Sequence, residues 1–267
     1  MRANLHMAAI LLLAPCLSPA ARLSPVANRA FDNYVAGVEA RLARQHARAD
    51  TYMGVRLGAA NGAVQIEPVN GGSWPVKGGL LHHWRAVAVV PGASAQDLLA
   101  LLRDYNRLDR YYAPEVVSSH VLADNGEAAT VAMRFRKHIV ITVVLDAEFQ
   151  TQSALDGNGR GYSYSRSTHI WEVDAPGTPR ERRRPEGNDD GFLWRLNSYW
   201  SFEETPQGLL MECEAVSLTR DVPTGLGWLI RPIIETLPRE SLEFTFTATR
   251  NALMANAERR HNDGRAS

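Results

Sequence analysis

The run Tyr164-Ser165-Arg166-Ser167-Thr168-His169-Ile170-Trp171-Glu172 brings together a phenol, a guanidinium, an imidazole and a carboxylate. General acid–base sites are assembled from such groups. On an unbroken strand Tyr164, Arg166 and Glu172 would share one face and His169 the other. If that face points inward, Arg166 is a buried charge that needs a partner or a ligand headgroup. If it points outward, all three are ordinary surface residues.

Other chemistry-bearing residues read more simply. His82 and His83 are adjacent, so on a strand they point to opposite faces and cannot hold one metal ion; one packed and one exposed histidine is expected. Gly157-Asn158-Gly159-Arg160-Gly161 lies between strand-like runs and lacks the helix whose amides would hold a phosphate, so it reads as a turn. Arg180-Glu181-Arg182-Arg183-Arg184 is followed by Glu186, Asp189 and Asp190. That loop neutralises itself, with peripheral contact to an anionic membrane as the alternative. Cys213 sits at alternating spacing without an electropositive neighbour, which marks a core residue. No Ser-His-Asp, paired-carboxylate or metal-ligand spacing is present, and no cofactor or metal is expected.

The elements that must position these groups follow from periodicity. Phe31, Tyr34, Val35, Val38 and Leu42 recur at helical spacing within 30–48. Residues 54–79 are rich in glycine and asparagine, with a short strand possible at 63–69. From Leu80 the pattern gives a strand over 81–90, a helix capped by Ser94, and a short helix ending before Pro114. Strands are then expected over 116–123, 128–136, 139–150 and 161–173. After a polar insertion at 174–190, two more cover 192–202 and 209–218. Asp124-Asn125-Gly126 is a strong hairpin signal. Phe192, Trp194, Leu196, Ser198, Trp200 and Phe202 share one alternation, and Met211, Cys213 and Ala215 another, predicting an antiparallel sheet with one wet and one dry face. An amphipathic piece over 226–237 is interrupted by Pro232 and Pro238. A long last helix follows over 240–257, with Leu242, Phe246, Thr249 and Leu253 on one stripe.

Lys+Arg and Asp+Glu are 29 each. That balance removes the basic field that nonspecific nucleic-acid binding needs, so no nucleic-acid partner is expected. Arg2, the apolar run from Met7 to Leu13 and Ser18-Pro19-Ala20 form a signal-peptide pattern with cleavage after Ala20. The run is too short to span a bilayer. The expected organisation is a signal peptide over 1–20, a helix and extended lead-in over 21–79, the main domain over 80–257 and a polar tail over 258–267. The mature protein is expected to be exported, to the periplasm or beyond, and without Cys16 it could form no internal disulfide.

Val89-Val90-Pro91-Gly92-Ala93-Ser94 leading into Leu98–Leu102 resembles the START-like superfamily. So do Asp104-Tyr105-Asn106-Arg107-Leu108 through Tyr111-Tyr112-Ala113-Pro114, the strand from Val116 to Leu122, and Pro238-Arg239-Glu240-Ser241-Leu242 opening the last helix. That superfamily includes lipid-transfer domains, polyketide cyclases, coenzyme-Q-binding proteins and pollen allergens. The resemblance implies an α+β helix-grip fold of about seven antiparallel strands wrapped on the terminal helix, with a hydrophobic cavity between. It carries no catalytic residue, because its enzymes share no catalytic motif. Strand parity and the helix stripe nominate Met133, Phe135, Val143, Leu145, Trp194, Leu196, Trp200, Met211 and Phe246 as an apolar wall. Ser198, Arg166 and Tyr164 are its candidate polar groups. The expected function is noncovalent binding or transport of a lipid, quinone or polyketide-like molecule. A cyclase- or hydrolase-type enzyme and a structural protein with a filled core are the alternatives.

Overall fold

A computed structural model describes residues 21–54, 63–138, 141–221 and 227–266. The expected signal peptide, and Ile139 at the start of one expected strand, lie outside the described residues. The order is β1 (Ala21–Arg22), α1 (Pro25–His46), β2 (Gln65–Val76), β3 (Gly79–Val90), α2 (Ala95–Leu102) and α3 (Leu108–Tyr112), then β4 (Val116–Asp124), β5 (Ala128–His138), β6 (Thr142–Leu155) and β7 (Arg160–Asp174). β8 (Arg182–Arg183), β9 (Asn188–Asp189), β10 (Arg195–Thr205), β11 (Gly208–Thr219) and α4 (Gly227–Ala266) complete it.

The main sheet runs β2-β3-β11-β10-β7-β6-β5-β4, and every pairing along it is antiparallel. Its tight hairpins rest on residues that accept positive φ: Gly126 at 89° joins β4 to β5, and Gly159 at 74° joins β6 to β7. Ser24 caps α1 by accepting the Ala27 amide, with Pro25 beginning the helix. Ser94 and Asp97 form a reciprocal capping box on α2. The architecture is α+β, an antiparallel sheet with a long C-terminal helix across one face.

Three expectations need correction. The segment expected as an extended lead-in contributes β2, which pairs along β3 and forms an edge of the sheet. Glycines at 71 and 72, both at positive φ, lie where the β2–β3 register shifts between Pro68 and Ser73, and the strand continues past them. Second, neither face of the sheet is wet at its centre. Phe31, Val35, Val38 and Leu42 of α1 pack on Leu81, Val216, Leu218, Tyr199 and Tyr164 on the face opposite α4. Third, α4 is one continuous helix through Pro232 and Pro238.

α4 packs on β3, with β11 and β2 beside it, and against α2 and α3. Leu242, Phe246 and Leu253 join the largest core cluster with Ala86, Ala88, Met211, Cys213, Trp200 and Phe202. The Tyr112 and Thr249 hydroxyls share a hydrogen bond of 3.0 Å that ties α3 to α4. Cys213 is 1% exposed, and burial pushes its thiol pKa well up, so it behaves as core.

Candidate functional site

The centre of the α4 face is built by β6, β7 and β10. Register aligns Leu155, Gly161 and Phe202 across the strands, then Ser153, Ser163 and Trp200, then Thr151, Ser165 and Ser198. Phe149 and Ser167 follow, with the Leu196 amide donating to the Ser167 hydroxyl at 2.9 Å. These rows face α4, because Trp200 and Phe202 belong to its core and the Trp200 ring stacks on Phe246 at 5.4 Å. Strand β7 thus presents only small side chains here. At Gly161 a Cβ would lie 2.4 Å from the Phe202 ring, so nothing larger fits. Thr151 donates to the Tyr105 hydroxyl at 3.0 Å, closing the end nearest α2. Ser163 is 8% exposed, and Ser153, Ser165 and Ser198 are half-buried. None of these four hydroxyls is among the buried polar atoms of the described residues that lack a partner.

The nominated wall residues divide. Met133, Phe135 and Leu196 lie on the α4 face, half-buried, beside a small cluster of Ala147, Phe149 and Ile170. The Phe135 and Phe149 rings meet edge-on at 6.0 Å. Leu145 lies opposite Phe135, and Val143 shares its alternation. Trp200 and Met211 also face α4, and Phe246 of α4 faces them, but all three are packed at 5% exposure or less, so this part of the helix–sheet contact is filled. Two open hollows occur elsewhere. One, of about 440 Å³, runs along Glu240, Phe244, Ala248 and Asn251 of α4, and another of about 400 Å³ lies by the β4–β5 turn.

Trp194, Tyr164 and Arg166 do not belong to that wall. β10 begins at Arg195, so Trp194 precedes the alternation; its indole turns to the α1 side and donates to Asp189 at 2.9 Å. Tyr164 and Arg166 also lie on the α1 side. A register shift on β7, with Glu148 opposite His169 and Phe149 opposite Ser167, reverses the alternation at Thr168. Glu172 therefore ends on the α4 face, away from Arg166. It is 5% exposed and accepts the amides of Asp190 and Phe192. Burial, with Asp189 nearby, pushes its carboxyl up to about 7.

Beneath α1 the sheet carries a buried polar network. Glu214 accepts from His83 at 2.7 Å and from Arg85 at 3.1 Å, and Arg41 of α1 joins it. The other His83 nitrogen meets the Tyr34 hydroxyl at 2.7 Å. Burial opposes ionisation of Glu214, but His83, Arg41 and Arg85 outweigh it and hold the carboxyl well below the usual range. Its neighbour Glu212 accepts the Gly54 amide, and burial pushes its carboxyl up to about 7 against the pull of Arg85. Arg166 pairs with Glu39 at 2.6 Å, and Tyr199 donates to the same oxygen at 2.9 Å. Tyr164 meets His46 at 3.2 Å. Arg166 thus has its partner within the chain, and the network docks α1 to the sheet.

Both histidines of the 82–83 pair are buried: His82 bonds Ser73 and Thr219, and His83 bonds Tyr34 and Glu214. In the arginine loop, Arg182 pairs with Asp174, Arg183 with Asp146, and Arg184 with Asp174 and Asp190. The serine rows had a signal that periodicity did not weigh, the alternation Gly161, Ser163, Ser165, Ser167.

No family model matches the chain, and no curated protein matches its sequence. Solved structures similar in fold include a STAR-related lipid transfer protein from Xanthomonas axonopodis, at 17% identity and TM-score 0.44, covering 68% of this chain and 98% of that one. The Zhui aromatase/cyclase from Streptomyces sp. R1128 is similar at 14% identity and TM-score 0.41, covering 67% and 95%. A START superfamily protein from Mycobacterium smegmatis matches at 11% identity and TM-score 0.40, covering 65% and 96%.

Proposed function

We propose that this chain binds a hydrophobic small molecule, without covalent chemistry, on the α4 face over β6, β7 and β10. The observation that carries the reading is the composition of the sheet centre. A glycine and serines on β7 lie low between Trp200 and Phe149, and half-buried Met133, Phe135 and Leu196 flank them. Close-packed interiors fill such positions with bulk, because voids larger than a water are few. In this reading, small side chains flanked by incompletely buried apolar ones leave room for an apolar guest. In this reading Met133, Phe135, Val143, Leu145 and Leu196 form the wall, Ser198 is a polar contact, and Trp200, Met211 and Phe246 form the packed floor. We further propose that residues 1–20 direct export and that binding takes place outside the cytoplasm.

The location is tested with 1-anilinonaphthalene-8-sulfonate fluorescence. Ser165→Trp, which fills the recess, is expected to abolish the enhancement seen with the unaltered protein. Val117→Trp, on the exposed part of β4, is expected to preserve it. Equal enhancement in all three proteins would remove the recess as the site.

A further inference from the structure

We propose that Tyr34, His83 and Glu214 form a nucleophile–base–carboxylate triad that transfers acyl groups from aryl esters to water. It is a second activity, on the α1 face, separate from the binding proposed above. Four elements converge there: α1 carries Tyr34, β2 Asn70, β3 His83 and β11 Glu214. His83 and Glu214 are each 1% exposed, with His83 Nε2 2.7 Å from Glu214 Oε2. His83 Nδ1 lies 2.7 Å from the hydroxyl of half-buried Tyr34. The exposed Asn70 side-chain amide donates to that hydroxyl oxygen at 3.0 Å. Three hydrogen bonds thus lead from a buried carboxylate to the surface.

The chemistry of the groups sets the direction of each bond. His83, Arg41 and Arg85 outweigh burial and hold Glu214 ionised, and a carboxylate only accepts. In the neutral imidazole Nε2 therefore carries the hydrogen, and Nδ1 is left to accept the Tyr34 proton. An imidazole oriented by a carboxylate in this way is a general base for a hydroxyl nucleophile. Among the described residues no other histidine links a buried carboxylate to a hydroxyl. His82 bonds Ser73 and Thr219, and His46 bonds Ser201 and Tyr164. Burial, opposed by the Asn70 bond and aided by the Glu214 charge, raises the Tyr34 pKa. The phenol is protonated at neutral pH and reacts by passing its proton to His83 during attack.

In the first step Tyr34 Oη bonds to the ester carbonyl carbon as its proton moves to His83 Nδ1. The tetrahedral intermediate expels a phenolate, which takes the proton back from His83. Water then attacks the acyl-Tyr34 ester, with His83 taking its proton and returning it to the departing Tyr34 oxygen. The leaving group sets the substrate class. Acyl-Tyr34 is itself a phenol ester, so it forms readily from an aryl ester and not from an alkyl ester, which must expel a far more basic alkoxide. Half-buried Trp74, edge-on to Tyr34 at 5.0 Å, offers an apolar ring beside the hydroxyl. Asn70 and Gly71, both at positive φ, lie where the β2 register shifts, and nothing is within 4 Å of a Cβ built at Gly71.

The test is stopped-flow hydrolysis of p-nitrophenyl acetate by the full chain, with peptide mapping of the acid-quenched protein by mass spectrometry. The unaltered protein is expected to release a burst of p-nitrophenolate and to carry an acetyl group on Tyr34. Its burst should slow in D2O, as general-base proton transfer requires. Tyr34→Phe keeps the ring against Trp74 and should retain the near-ultraviolet circular dichroism. It is expected to abolish the burst and the adduct and to lower turnover at least about a hundredfold. Acetyl groups confined to lysines, or equal turnover in Tyr34→Phe, would overturn the triad. A burst unchanged in D2O would remove His83 as the base. Ethyl acetate cleaved as fast as the aryl ester would overturn the substrate class.

Discussion

Trp200 marks the boundary between packed core and recess. Its ring lies parallel to Phe246 at 5.4 Å, and it shares a cross-strand row with Ser163. Truncating it would remove that stack and leave a large void. Trp200→Ala is expected to lower stability by about 3–5 kcal/mol, read by urea unfolding. A change below about 1 kcal/mol, the range of a surface substitution, would contradict the packing. Glu212 gives a second residue-scale prediction. Its folded-state pKa, at about 7, lies above the ordinary carboxylate value, so the native state favours the protonated form. The stability this contributes is complete below the unfolded pKa and is lost as pH rises through about 7. Glu212→Gln mimics the protonated form. The variant should match the unaltered protein near pH 4 and become progressively more stable than it toward pH 8. The difference between their melting temperatures at each pH isolates this group from the histidines. A difference independent of pH would contradict the assignment.

At the scale of elements, α1 converts a one-sided sheet into one covered on both faces. Without it, Tyr199, Val216, Leu218 and the Glu212–Glu214 pair would be uncovered. A chain beginning at Leu80 would also lose β2 and expose the edge of β3. Such a truncation is expected to lack near-ultraviolet circular dichroism and a cooperative melt, whereas a folded, cooperatively melting fragment would show that the sheet needs neither element. Gly161→Val should be destabilising by about 1–3 kcal/mol, because its Cβ meets the Phe202 ring; unchanged unfolding in urea would contradict that close approach. Much of this level was legible in sequence. Hairpin glycines, the Ser94 cap, the α1 stripe and the alternation of β6 appear in place. What escaped was set by register. The shift at Thr168 reverses the alternation and separates Arg166 from Glu172, and no local pattern announces it. Trp194 fitted the β10 alternation but precedes the strand. Polar residues such as Asn197, Glu212 and Glu214 read as a wet face. Their burial depends on a helix more than a hundred residues away in sequence.

For the whole molecule, the two faces of the sheet take different roles. The α1 face is a closed polar clamp in which Arg166, Glu39, His83 and Glu214 satisfy one another. The α4 face combines a packed floor with a stretch where β7 presents only Gly161, Ser163, Ser165 and Ser167. In the function proposed above the ligand binds the second face, and its binding should stabilise the native state in proportion to the logarithm of its concentration. The most direct measurement is native mass spectrometry of the protein purified gently from its own host, followed by solvent extraction and identification of the released molecule. The account predicts a stoichiometric hydrophobic small-molecule adduct that is lost in Ser165→Trp. Purely apo protein from its host, with the same spectrum for Ser165→Trp, would contradict it.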